Sequence, residues 1–95
     1  MDENEISSSI SISEQIPAIK ARFSNNSILI DIYCHTQKGL LAKIITEIEK
    51  RHLFVSDINA SSINGGTLQI IIVSQMEPTF NMSQQDFLND LHSIF

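Results

Sequence analysis

Apolar side chains stand at every second position over Ile28, Ile30, Ile32 and Cys34, with Asp31, Tyr33 and His35 between them. That period marks a strand with one buried face. The period then lengthens. Leu41, Ile44, Ile45 and Ile48 recur at three- and four-residue spacing, with Lys43, Glu47, Lys50 and Arg51 on the other side, which predicts a core-facing helix. Thr36 is placed to cap it, Lys38 and Gly39 to form its mouth, and Lys50 and Arg51 to stand at the end where the macrodipole favours cations.

The other elements are read against this strand–turn–helix unit. Before it, Ile16-Pro17 is followed by alternation over Ala18 to Ser24, with Ile19, Ala21 and Phe23 on one side and Lys20 and Arg22 on the other. Asn25-Asn26 tolerates positive φ well enough to close a tight hairpin between this strand and the next. After the helix, His52-Leu53 reads as a connection and Phe54 to Ser62 as the weakest strand, with Phe54, Val55 and Ile58 as its apolar content. Asn64-Gly65-Gly66 is the clearest turn, and Thr67 to Met76 is the most β-prone run. With Leu68, Ile70, Ile71, Ile72 and Val73 nearly continuous, that last strand belongs in the middle of a sheet. Glu77-Pro78 breaks it. Ser83 with Asp86 forms a capping-box-like start to a second helix, whose Phe87, Leu88, Leu91, Ile94 and Phe95 predict a core-facing element running to the last residue.

The expected fold is α+β, a ferredoxin-like two-layer sandwich of order ββαββα. It has a four-stranded antiparallel or mixed sheet and both helices on one face. The Ser27 and Thr67 strands are expected to be central and parallel, flanked by the Ala18 and Phe54 strands. Residues 1–15, acidic and Ser-rich with isoleucines only at Ile6, Ile10 and Ile12, read as a linker, and residues 16–95 as the domain.

Composition narrows the function classes. Ninety-five residues suit one small domain. A net charge of −5, with only six Lys and Arg, argues against a cationic face for phosphates, so no direct nucleic-acid contact is expected. One cysteine, in the apolar register of a strand, fits a reduced compartment. No apolar run reaches the roughly 20 residues of a membrane span, and the acidic start lacks a signal peptide's positive region, so no membrane partner is expected.

The run from Ile16 to Leu91 resembles the C-terminal ACT-like domain of plant basic helix-loop-helix (bHLH) transcription factors. The resemblance is carried by the Pro17-Ala18-Ile19-Lys20-Ala21-Arg22 opening, the Lys38-Gly39-Leu40-Leu41 turn with Ile48-Glu49-Lys50, and the Thr67-Leu68 strand leading to Gln75-Met76. A Ser- and Glu-rich linker precedes the domain in that family, and the family's basic region and helix-loop-helix have no counterpart here. The resemblance therefore implies a domain excised from a longer, nuclear factor. It implies a regulatory role in homo- or heterodimerisation, with a second copy or another bHLH ACT-like domain as partner and consequences for DNA binding.

Two surfaces compete for that contact. Leu29, Tyr33, Ile71 and Val73 place apolar side chains on the open face of the sheet, where a contiguous patch signals a partner. The edge strand, with Val55, Asp57, Ile58 and Ala60, offers side-by-side sheet pairing, although the charge of Asp57 opposes it.

A small-molecule sensor is the alternative. Metabolic ACT domains carry Asp-x-Pro-Gly in the first strand–helix turn and bind amino-acid effectors there. Here the turn is Thr36-Gln37-Lys38-Gly39, which keeps the glycine but lacks the acid and the proline. Any ligand at this helix mouth, beside Lys38, would be anionic. Catalysis has little support: Cys34 and His35 alternate across a strand, His52 lies on another element, and His92 stands on a polar helix face. Neither metal-ligand spacing nor a nucleophile–base pair results. No cofactor, metal or catalytic residue is expected. RNA-binding sheets of this shape need stacking aromatics on the central strands, where Tyr33 stands alone.

Overall fold

The computed structural model describes residues 16–95, so the linker expected over residues 1–15 lies outside it. The elements follow the order β1 (Ala18–Ser24), β2 (Ser27–His35), α1 (Leu40–Glu49), β3 (Leu53–Asn64), β4 (Thr67–Met76) and α2 (Gln84–His92). They form one sheet of order β1-β2-β4-β3, with β2 and β4 central as the apolar runs required. Every neighbouring pair is antiparallel, so β2 and β4 are not the parallel pair expected. The connections explain the sign. α1 returns the chain so that β3 runs parallel to β2, and a two-residue loop at Gly65–Gly66 then reverses it, so β4 inserted between them opposes both.

The hairpins rest on residues that enter the left-handed region. Asn25 has φ 54° between β1 and β2, and Gly66 has φ 86° between β3 and β4. β3 reaches from Leu53 to Asn64, beyond the expected strand at both ends. Leu53, read as connection, is 1 % exposed and belongs to the core. A weak local propensity is overridden by the ladder with β4, which supplies the backbone partners. His52 just before it has φ 66° and turns the chain into the strand.

The core lies between the sheet's inner face and the two helices. Ile28, Ile30, Ile32 and Cys34 of β2 meet Ile70 and Ile72 of β4, all buried. α1 packs against β3 through Leu40, Ile44 and Ile48, a stripe at four-residue spacing. Leu41 instead faces outward and Leu40 takes its place in the stripe, while Ile44 and Ile48 are buried as expected and Ile45 is half-buried. α2 packs against β1 through Phe87 and Leu91. Phe23, Phe80 and Phe87 make a three-ring cluster with centroids 5.9–6.0 Å apart, tilted or edge-on as aromatic quadrupoles prefer.

The helix ends differ from each other. Ser83 caps α2 as expected, its Oγ accepting from the Asp86 N–H at 3.1 Å. α2 stops at His92 rather than at the last residue, and Ile94 still tucks into the core through turns that follow. Thr36 does not cap α1. The N-cap is Gly39, with no side-chain hydrogen bond.

Candidate functional site

Because antiparallel partners point the same way, the pairing register assigns each side chain to a face. Opposite the helices, four rows cross the sheet from β1 to β3: Ser24–Ser27–Gln75–Phe54, Arg22–Leu29–Val73–Asp57, Lys20–Asp31–Ile71–Asn59 and Ala18–Tyr33–Gln69–Ser61. No described helix covers this outer face. At its centre Leu29, Ile71 and Val73 adjoin, with Leu29 and Ile71 each 39 % exposed. Phe54, near one corner, is 58 % exposed, the highest value among the large apolar side chains that stand exposed.

Polar groups frame this apolar centre and fix one another. On one side the Gln69 amide donates from Nε2 to the Tyr33 hydroxyl at 2.9 Å and to Asp31 Oδ1 at 3.3 Å. On the other, Ser27 Oγ donates to Gln75 Oε1 at 3.0 Å. Partial burial, with the Asp31 carboxylate as a smaller contribution, pushes the Tyr33 phenol above its usual range and keeps it neutral.

The expected residues therefore divide. Leu29, Tyr33, Ile71 and Val73 come together on the outer face, and Asp57 joins them at its rim. Val55, Ile58 and Ala60 point to the helix side of β3, Ile58 and Val55 half-buried against the core and Ala60 exposed. Phe54 was legible as an apolar residue but not as part of this face. The register shift between Val55 and Asp57 moves it there, and a shift of one residue exchanges faces.

The free edge of β3 is partly occupied. Glu49 at the end of α1 accepts the Val55 N–H at 3.2 Å, and irregularities interrupt the strand at Val55/Asp57 and Ser62/Asn64. Bulges and covered donors both oppose edge-to-edge pairing. On the far side of the sheet, Gln84 donates to the Ala21 carbonyl of β1 at 3.0 Å.

The turn over Thr36, Gln37, Lys38 and Gly39 borders a cleft of about 140 Å³, whose lining includes Pro17, Cys34, Gln37, Leu40, Lys43 and Phe95. Of the four turn residues only Gln37 reaches it, so the cation beside the cleft is Lys43 and not Lys38. Cys34 is 2 % exposed, and burial pushes its thiol above the usual range, away from a reactive thiolate. His52 hydrogen-bonds through Nδ1 to Thr79 Oγ1 at 2.8 Å and meets neither Cys34 nor His35. Among the described residues no group of three or more His, Cys, Asp or Glu is arranged to hold a metal, and no helix is long and apolar enough to cross a membrane.

Comparison with known proteins bears on the same residues. The family model of the plant bHLH transcription factor ACT-like domain matches residues 19–93. Transcription factor bHLH25 of Arabidopsis thaliana is 44 % identical over 79 residues, which cover 82 % of this chain and 24 % of the relative. Transcription factor bHLH18 of the same plant is 37 % identical over 76 residues, covering 80 % and 25 %, and transcription factor NAI1 is 30 % identical over 86 residues, covering 90 % and 27 %. The chain thus spans about a quarter of the length of these curated relatives, each of which is named as a transcription factor and none as an enzyme. No solved structure matches it.

Proposed function

Since the chain belongs to the ACT-like domain family of plant bHLH transcription factors, we propose that it is the domain through which such a factor selects its dimer partner in the nucleus. A second copy, or the ACT-like domain of another bHLH protein, is the partner, and the consequence is control over which dimers engage DNA. The observation that supports this reading is the outer face, which no described helix covers and where Leu29, Ile71 and Phe54 stand exposed in a frame of ordered polar groups. A monomeric domain has little reason to keep such a face apolar, since contiguous exposed patches mark association surfaces. The outer face is favoured over the β3 edge because Glu49 and the strand irregularities occupy that edge.

The test is the molar mass of the chain by light scattering between about 1 and about 100 μM, a range that spans weak to moderate association. A mass rising towards twice 10.7 kDa is the expected result. A mass of 10.7 kDa throughout would contradict self-association.

A further inference from the structure

The two margins of the outer face carry opposite charges. β1 contributes the cations Lys20 and Arg22, both exposed, and β3 contributes the exposed acid Asp57 in the row of Arg22. Between them on β2 and β4 stand the apolar Leu29, Ile71 and Val73, and a second acid, Asp31, which accepts from Gln69 and lies beside Lys20 in its row. Among the described residues the ion pairs are made by Glu47, Lys50, Arg51 and Asp90, and none engages Lys20, Arg22 or Asp57. The face therefore has a cationic margin on β1, an acidic margin on β3, and a middle that is apolar except for Asp31, whose carboxylate is held by Gln69.

From this we propose that two copies of the chain pack outer face to outer face about a two-fold axis that runs along the strands between β2 and β4. The proposal rests on the dimerisation reading above and adds the orientation. Such an axis lays β1 over the partner's β3 and β2 over the partner's β4, keeping each row over its own counterpart. Arg22 then faces the partner's Asp57, and Leu29 faces the partner's Val73, twice each by symmetry. An axis across the strands would instead lay β1 over the partner's β1 and set the Lys20–Arg22 margins against each other. Like charges facing at an interface oppose association, so the charge pattern selects the first axis. Sheets stacked with their strands nearly aligned, about 10 Å apart, are a common packing and leave room for an arginine to reach across.

Area alone would not fix this geometry. Four strands about 4.8 Å apart and about eight residues long present roughly 500 Å². Stable partners bury about 800 Å² each, so the charged margins carry much of the specificity.

Reciprocal charge reversal tests the orientation. Arg22→Glu and Asp57→Lys are each expected to weaken self-association by about tenfold or more, measured by sedimentation velocity, because each homodimer then sets like charges together twice. Mixed in equal amounts, the two variants are expected to recover a dimer, detected as a heterodimer with one copy mass-tagged. In that mixed pair the unaltered Arg22 meets Asp57 and the reversed Glu meets the reversed Lys. The double variant, carrying both changes in one chain, is likewise expected to self-associate as the unaltered protein does. If the unaltered chain dimerises but the single variants do so equally well, or their mixture gives no heterodimer, the orientation is overturned while dimerisation stands. If the unaltered chain is monomeric, self-association and this orientation both fall, and pairing with another bHLH ACT-like domain is what stands of the proposed function. Circular dichroism of each variant separates loss of contact from loss of fold, and the double variant decides the matter if one single variant does not fold.

Discussion

Gly39 holds the turn between β2 and α1 at φ 74°, and nothing lies within 4 Å of where a Cβ would be. Its requirement is therefore conformational and not spatial. Gly39→Ala is expected to cost roughly 1–2 kcal/mol, the penalty of a left-handed L-residue. Gly65 has equal open space but no positive φ, so Gly65→Ala is expected to change stability by less than about 0.5 kcal/mol. Urea unfolding of the two variants checks the contrast, and equal losses would contradict it. The residues that sequence reading placed well are those governed by a local rule: Asn25 in its hairpin, Ser83 at its cap, Ile28 to Cys34 in the core. Phe80 and His52 escaped it. Phe80 reaches the aromatic cluster from a loop without periodicity, and the positive φ of His52 has no signal in a histidine. Thr36 shows the converse, a plausible cap displaced because Gly39 starts the helix later.

Between elements, Arg51 does more than complement a helix dipole. Its guanidinium, 17 % exposed, donates to Glu47 Oε1 at 3.1 Å and to Asp90 Oδ2, joining the end of α1 to α2. Burial opposes its charge, but hydrogen bonds to Asp90 and Glu47 outweigh that and hold the guanidinium pKa above its ordinary value. Hydrogen bonds from Arg51 and then Lys50 hold the Glu47 carboxyl below its usual range. A carboxyl lowered on folding contributes stability above its unfolded pKa and loses it as pH falls through the folded value. Glu47→Gln is therefore expected to destabilise the domain at pH near 7, and the difference from the unaltered protein should shrink as pH falls below about 4 and vanish below the folded pKa of Glu47. Unfolding curves at both pH values measure this, and an undiminished difference in acid would contradict it. The Arg51–Asp90 pair joins residues 39 apart in sequence, a separation at which periodicity is silent. Strand order was legible from apolar content, whereas direction required following the chain through each reversal. The length of β3 came from its partner β4 and not from its own residues.

At the scale of the molecule, the described helices lie on one face of the sheet and the described residues leave the other open, and its rows combine an apolar centre with opposite charges at its two margins. Leu29, Tyr33, Ile71 and Val73 were visible as a patch because alternation in a strand assigns faces. Their relation to Arg22 and Asp57 was not, since it depends on the register of three strand pairs. The same register separates the two candidate surfaces. Val73 lies on the outer face beside Leu29, while Ala60 lies exposed on the edge strand and points to the helix side. Ile58 would be a poor probe of the edge, because it packs half-buried against the core.

The most direct measurement is thus the molar mass of Val73→Asp and Ala60→Lys beside the unaltered chain, at one concentration where the latter is dimeric and with folding verified by circular dichroism. A charge set in the apolar centre of the outer face should leave Val73→Asp near 10.7 kDa, while Ala60→Lys stays near twice that. A dimeric Val73→Asp beside a monomeric Ala60→Lys would contradict the account and transfer the interface to the β3 edge.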